Sequence, residues 1–328
     1  MGRGSKFEES IVRGSIARWG EVLSSRFDSS RFEVRGGEGL SSKFEVRDSI
    51  VRGDVIDIFN WRILRRILAV AAALVVAFPF LWMFFASFKA EHEVFTKTFS
   101  LFPAVWKYSN YAVALEAAPF GRFFWNSFVA AMIVVVFQTV TCALAAYAFA
   151  KLEFRFKHGL FAIFLIAMMI PEEATIIPNY MLAQKLGLIN TNFGIAMISL
   201  TSVFGIFLLR QSIRKIPDEL LQAAELDGCG ELGKFFYIVL PNIKSSLATV
   251  AILGFLHSWN SYMWPYLITD QTAARTVQIG MRYLINPDLG PQWPMLMAIA
   301  TIITLPVLVL FIFLQKYFVE GMTNSGLK

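Results

Sequence analysis

About six apolar runs organise this chain, each close to the length that carries an α-helix across a bilayer. Such a crossing takes about 20 residues at roughly 1.5 Å of rise per residue. The first run extends roughly from Ile67 to Ser87 behind Arg62, Arg65 and Arg66, and the second from about Trp125 to Ala150, ending at Lys151, Arg155 and Lys157. The third starts near Gly159 and is interrupted at Pro171. A fourth covers about Phe193–Leu209 and stops at Arg210, a fifth covers about Leu247–Leu267 behind Lys244, and the last covers about Met295–Leu314 before Lys316. Only 16% of the 328 residues are charged, against about a quarter in a soluble domain. The charge is crowded between the runs. An all-α, polytopic membrane protein is the fold class this pattern predicts.

The basic clusters fall at every second connection between the runs. They mark the start of run one, the turn between two and three, the segment between four and five, and the tail. With six spans these positions share one face, which places both termini in the cytoplasm. Trp106, Trp125, Trp264 and Trp293 then fit an outer aromatic belt. The +6 formal charge follows these helix ends and forms no single basic patch, so a nucleic-acid partner is not expected. Two cysteines, Cys142 and Cys229, are too few for a disulfide framework. The histidines His92, His158 and His257 lack metal-ligand spacing.

Residues 1–59 form a separate, repetitive extension, expected to be disordered, ahead of a membrane domain at 60–328. Ser5-Lys6-Phe7-Glu8 and Ser10-Ile11-Val12-Arg13-Gly14 are restated by Ser42-Lys43-Phe44-Glu45-Val46-Arg47 and Ser49-Ile50-Val51-Arg52-Gly53. Ser30-Arg31-Phe32-Glu33-Val34-Arg35-Gly36 stands between them. These copies are far below the roughly 20 residues of a solenoid repeat. Three readings stand: a tail at the membrane surface, a disordered tail, or a repetitive DNA element read from a start codon set too far upstream. In the last case synthesis begins near Val51 or Val55.

The segment between runs four and five carries the most information. In Pro217-Asp218-Glu219-Leu220-Leu221-Gln222-Ala223-Ala224-Glu225-Leu226-Asp227-Gly228, Pro217 suits a first helical turn, and two acids follow at the positive end of the helix dipole. Gly228 supplies a left-handed stop. Leu220, Leu221 and Ala224 form an apolar side, and Asp218, Gln222 and Glu225 a polar one. A helix of about three turns is marginal alone in water and needs a surface to hold it. Ala223 and Ala224 allow close backbone approach there.

This segment, with Phe236, Ile238 and Leu240-Pro241 beyond it, resembles the "EAA" loop of binding-protein-dependent ABC importer permeases. Met169-Ile170-Pro171, Ile177-Pro178, Gly187-Leu188-Ile189-Asn190-Thr191, Phe207-Leu208-Leu209-Arg210-Gln211, Trp259-Asn260 and Leu314-Gln315 through Gly321 are similar to the carbohydrate-uptake branch. That branch contains the maltose and glycerol-3-phosphate importers. The resemblance implies a cytoplasmic coupling helix between spans four and five that docks on an ATPase subunit. Its residues here are Glu219, Gln222, Ala223, Ala224, Glu225, Asp227, Gly228, Leu240 and Pro241. It also implies a second, homologous permease subunit, two ATP-binding subunits and an extracytoplasmic solute-binding protein, in a bacterial or archaeal cytoplasmic membrane. ATP and magnesium would sit on the partner ATPases and no cofactor on this chain, which would carry out no covalent chemistry. Two departures stand out. Gln222 replaces the loop's leading Glu, which shifts emphasis to Glu219 or Glu225, and Ser245 and Ser246 stand where a second Pro is usual.

Gly228-Cys229-Gly230-Glu231-Leu232-Gly233-Lys234 imitates the start of a phosphate-binding loop, but Phe235 replaces the required Ser or Thr. No strand precedes it, and ATP binding here is excluded. For a transport path, Glu172 and Glu173 behind Pro171 are the acidic candidates, with Glu173 preferred. They either line a cavity at a broken helix, where backbone carbonyls open, or face water beyond a span that ends early. Trp259 could stack on a sugar ring and Asn260 bind a hydroxyl, but a structural role is the preferred reading for both. The alternative from another class is a self-sufficient secondary transporter or channel.

Overall fold

The computed structural model describes residues 40–96, 100–286 and 290–326. The chain divides into two units, residues 1–79 and 80–328. The first unit holds most of helix α1 (Leu40–Ala86). This helix begins inside the stretch assigned above to the extension, so the Ser42–Arg47 and Ser49–Gly53 copies are helical. The copies before Leu40 lie outside the described residues. Along α1 the apolar part is Ile63–Ala86, 24 residues.

The second unit is built from helices in two kinds of span. Helix α2 is Glu91–Val94, α3 is Ser109–Glu116, and α4 (Phe120–Lys151) is unbroken over 32 residues. Helices α5 (Lys157–Ala167) and α6 (Glu172–Lys185) meet at 100°. Helix α7 (Asn192–Ala196), extended by a 3-10 turn to Ser199, meets α8 (Val203–Ile213) at 56°. Helix α9 is Asp218–Leu226. Helix α10 (Glu231–Asn242, containing a π turn at Phe235–Val239) meets α11 (Lys244–Asn260) at 81°. Beyond them lie α12 (Met263–Ile268), α13 (Val277–Gly280), a two-residue antiparallel pair of Ile285–Asn286 with Gly290–Pro291, and α14 (Trp293–Gly326). Among the described residues, three helices are long and apolar enough to cross a membrane alone, or up to six spans if each bent pair counts once.

Local chemistry explains the breaks. Pro171 is extended (ψ 142) ahead of α6, and Glu172 and Glu173 occupy that helix's first turn, where its dipole favours acids. Ser202 Oγ accepts from the Gly205 N–H at 3.1 Å and Thr191 Oγ1 from the Gly194 N–H at 2.9 Å, so both pieces of the fourth run carry N-caps. The fifth run is shorter than its hydropathy. It stops at Asn260, not Leu267, because Ser261 turns extended (ψ 131) and Pro265 falls inside the new helix α12.

Packing centres on α4. Toward its C-terminal end, Cys142, Ala146 and Tyr147 join Leu209 and Ile213 of α8, Leu221 of α9, Val239 and Val250. Toward its N-terminal end, Phe120, Phe123 and Ala131 meet Phe255 and Trp259 of α11, Val277, and Leu296, Ile299 and Ile303 of α14. Outward residues such as Ile163, Ile166, Ile312 and Phe313 are mostly exposed, as lipid-facing side chains must be.

Candidate functional site

Helix α9 is held at both ends by its own chain. Pro217 (φ −57, ψ 138) stands just outside it as N-cap, one residue earlier than the sequence places it. Lys151, at the last position of α4, donates from Nζ to Ile216 O and to Asp218 Oδ1, both at 2.6 Å. That hydrogen bond and charge hold the Asp218 carboxyl below its usual range. At the other end Gly228 adopts φ +84, the Cys229 N–H reaches Ala224 O at 2.9 Å, and the Gly228 N–H reaches Glu225 O at 3.0 Å. These bonds form a left-handed stop that satisfies the last carbonyls of α9.

The phosphate-loop look-alike folds into something else. Lys234 is buried, and its Nζ donates at 2.8 Å to both Glu225 Oε2 and Glu231 Oε1. Tyr147 of α4 donates from its hydroxyl to Glu231 Oε2 at 2.7 Å. Lys234 first, and then Tyr147, hold the Glu231 carboxyl below its usual range. Beyond lies the π turn. Pro241 has no N–H, Leu240 donates instead to Phe235 O, and Asn242 Nδ2 covers Ile238 O at 2.8 Å.

The exposed face of α9 is therefore defined. Leu221 and Ala224 turn inward, while Glu219, Gln222, Ala223 and Asp227 are exposed and Leu226 is 90% exposed. Leu220, placed above on the apolar side, is half exposed. Ala224 lies against its own chain, so Ala223 alone of the pair offers close approach from outside. Glu225 is spent on Lys234, leaving Glu219 as the acid of α9 without an ion pair among the described residues.

Away from α9, the helix breaks open a cavity of about 670 Å³. Its polar wall comes from α4 (Gln138), the α5–α6 break (Glu172), the α7–α8 break (Ser199, Thr201, Ser202) and α11 (His257). His257 Nε2 lies 3.8 Å from Glu172 Oε2. A second cavity of about 220 Å³ shares Glu172 and adds Glu173, Thr175, Asn179, Ser261 and Tyr262. Gln138, Ser199, Thr201 and Ser202 escape a reading by sequence, because isolated Ser, Thr and Gln are ordinary in spans. Their only signal is that three of them fall at a helix break. Trp259 lines neither cavity. It is 2% exposed, stacks on Phe255 at 5.5 Å and donates to Ile303 O at 3.2 Å. Asn260 also lies outside both cavities and donates to its own Leu256 O at 2.9 Å.

Residues 138–324 match the family described as binding-protein-dependent transport system inner membrane component. This range holds α9 and the cavity wall. The chain is 33% identical over 259 residues to the arabinooligosaccharides transport system permease protein AraQ of Halalkalibacterium halodurans, covering 78% of this chain and 92% of that protein. It is 31% identical over 266 residues to the sn-glycerol-3-phosphate transport system permease protein UgpE of Yersinia pestis bv. Antiqua, covering 79% and 95%. In fold it is similar to a chain of a bacterial ABC transporter involved in the import of the acidic polysaccharide alginate. The TM-score there is 0.70 at 24% identity, covering 81% of this chain and 98% of that one. The chain belongs to the family of binding-protein-dependent transport system inner membrane components.

Proposed function

We propose that this chain is one of two permease subunits of a carbohydrate importer driven by ATP hydrolysis on separate subunits. The observation that carries this is helix α9. It is clamped at both ends by its own chain and turns Glu219, Gln222, Ala223 and Leu226 outward, so one side is held and the other, among the described residues, is open. Two ATP-binding subunits would hold this helix and its counterpart on the second permease. Asp227 and Gly228 end the helix, and Leu240-Pro241 sets the turn into α11. An external solute-binding protein would deliver solute to the opposite face, with both termini cytoplasmic. Gln222 is neutral where an acid is usual in the loop. A neutral hydrogen bond is roughly half as strong as a charge-assisted one, so Glu219 carries the charged contact. ATP and magnesium bind on the partners only.

A sugar or sugar-like solute fits the names of the relatives above, and it fits the two cavities. Their carboxylates, hydroxyls and amides at the helix breaks are the groups that hydrogen-bond hydroxyl-rich solutes. Glu172 reaches both cavities and Glu173 one. Trp259 instead ties α11 to α14 through Ile303 O, and Asn260 bonds back onto its own helix at Leu256 O.

Substituting Ala223→Trp tests the reading. The bulkier side chain sits on the outward face of α9, so membrane insertion and folding stay intact while uptake is abolished. Normal uptake by that variant, or uptake that continues without ATP hydrolysis, would sink the reading and leave a secondary transporter or channel.

A further inference from the structure

We infer that Tyr147 and Lys151, one turn apart at the end of α4, are positioning residues that carry the movement of α9 directly into α4. The inference rests on the importer reading above. Residues i and i+4 share one face of a helix, and this face of α4 holds both ends of α9. Lys151 takes the N-terminal end through Ile216 O and Asp218 Oδ1. Tyr147 takes the C-terminal end through Glu231, which Lys234 ties to Glu225.

By its chain connections alone, α9 would move only α8 before it and α10 and α11 after it. The two clamps add a third route. The donors are buried, Tyr147 at 5% exposure and the Lys151 side chain at 9%, while the carboxylates they hold stand toward water. A buried donor that is also packed makes a stiff attachment. The Tyr147 ring, for example, rests against Phe235 at 5.4 Å. Helix α4 is also the helix that carries Gln138 to the cavity wall, about two and a half turns away. A push on α9 therefore reaches the cavity through one continuous helix. In this arrangement Lys234, the lysine of the false phosphate loop, is the keystone of the C-terminal clamp. Its cation joins two carboxylates from different helices.

The test uses the complete importer in liposomes, with permease partner and ATPases. Cys142 and Cys229 are replaced by Ala and Ser199→Cys is added as a reporter on the cavity wall. Labelling of this cysteine by a fluorescent maleimide is measured with and without ATP and vanadate, alongside ATP hydrolysis, so no solute need be known. The parent should change its labelling rate at least tenfold on trapping. Tyr147→Phe with Lys151→Met should cut that change to under twofold while ATP hydrolysis continues, and Lys151→Arg should restore it. A full labelling change in the double variant overturns the inference. If the double variant does not assemble, Tyr147→Phe alone decides, since it keeps the ring on Phe235. A change at least threefold smaller supports the inference and an unaltered one overturns it. A parent that binds no ATPase, or whose labelling ignores ATP, refutes the importer reading instead.

Discussion

Gly254→Ala measures how tightly α11 is pressed onto α4 beside the cavity. Gly254 lies in the interior of α11, where alanine is ordinarily the better residue by about 0.5–1 kcal/mol. Here the added Cβ would stand 2.8 Å from Gln138 Oε1, 3.2 Å from its Cδ and 3.5 Å from its Nε2, where ordinary contact begins at 3.4 Å. The amide must retreat by roughly 0.6 Å, the difference between 3.4 and 2.8 Å. The atoms met are the far end of a flexible side chain that lines the cavity, so the amide retreats into that space. Overpacking costs about 1–3 kcal/mol, and a yielding side-chain end puts this site at the low end, about 1 kcal/mol. Set against the propensity gain, Gly254→Ala should be close to neutral, within about 0.5 kcal/mol. In a Gln138→Ala background the clash disappears and the same substitution should stabilise by about 0.5–1 kcal/mol. The coupling between the two positions is then about 1 kcal/mol, within the range for residues in contact. Equilibrium unfolding of the four proteins in mixed micelles of rising SDS fraction gives the cycle. Equal effects of Gly254→Ala in both backgrounds would refute the close approach.

Other substitutions separate structural groups from path groups. Asn126 Nδ2 donates to Ala273 O at 2.9 Å and Arg275 O at 3.0 Å. Asn126→Leu strands both carbonyls, so the same titration should show a loss of about 2–4 kcal/mol, with faster proteolysis of the 270–280 segment. Trp259→Phe should cost about 1–2 kcal/mol by removing the indole donor to Ile303 O, yet uptake per folded molecule should stay within twofold. Glu172→Gln should do the reverse. Its carboxylate is 70% exposed, so stability should hold within about 0.5 kcal/mol while uptake falls at least tenfold, further than for Glu173→Gln.

The apolar runs and their order are visible in the sequence because spanning a bilayer demands length and hydropathy together. Direction is not visible in the same signal. The fifth run continues through Met263–Leu267 in hydropathy, but Ser261 and Pro265 redirect the backbone at Asn260. The 100° turn at Pro171 is legible as an interruption and not as an angle. Helix α9 declares itself through Asp218, Glu219 and Gly228, which are local signals. Its clamps do not, since Tyr147 and Glu231 are 84 residues apart and Lys151 and Asp218 are 67 apart. A buried lysine between two carboxylates looks, in one dimension, like a broken nucleotide motif. The cavity has the same origin. Gln138, Glu172, Thr201 and His257 come from four separate stretches, and only the bent helices bring them to one wall.

The most direct test of the central claim is to purify this subunit from native membranes in mild detergent and identify its companions by mass spectrometry. The account predicts a second permease of the same family and an ATPase carrying phosphate-binding loops, with the ATPase lost when Ala223→Trp is introduced. Recovery of the wild-type chain alone, or only with copies of itself, would contradict the account.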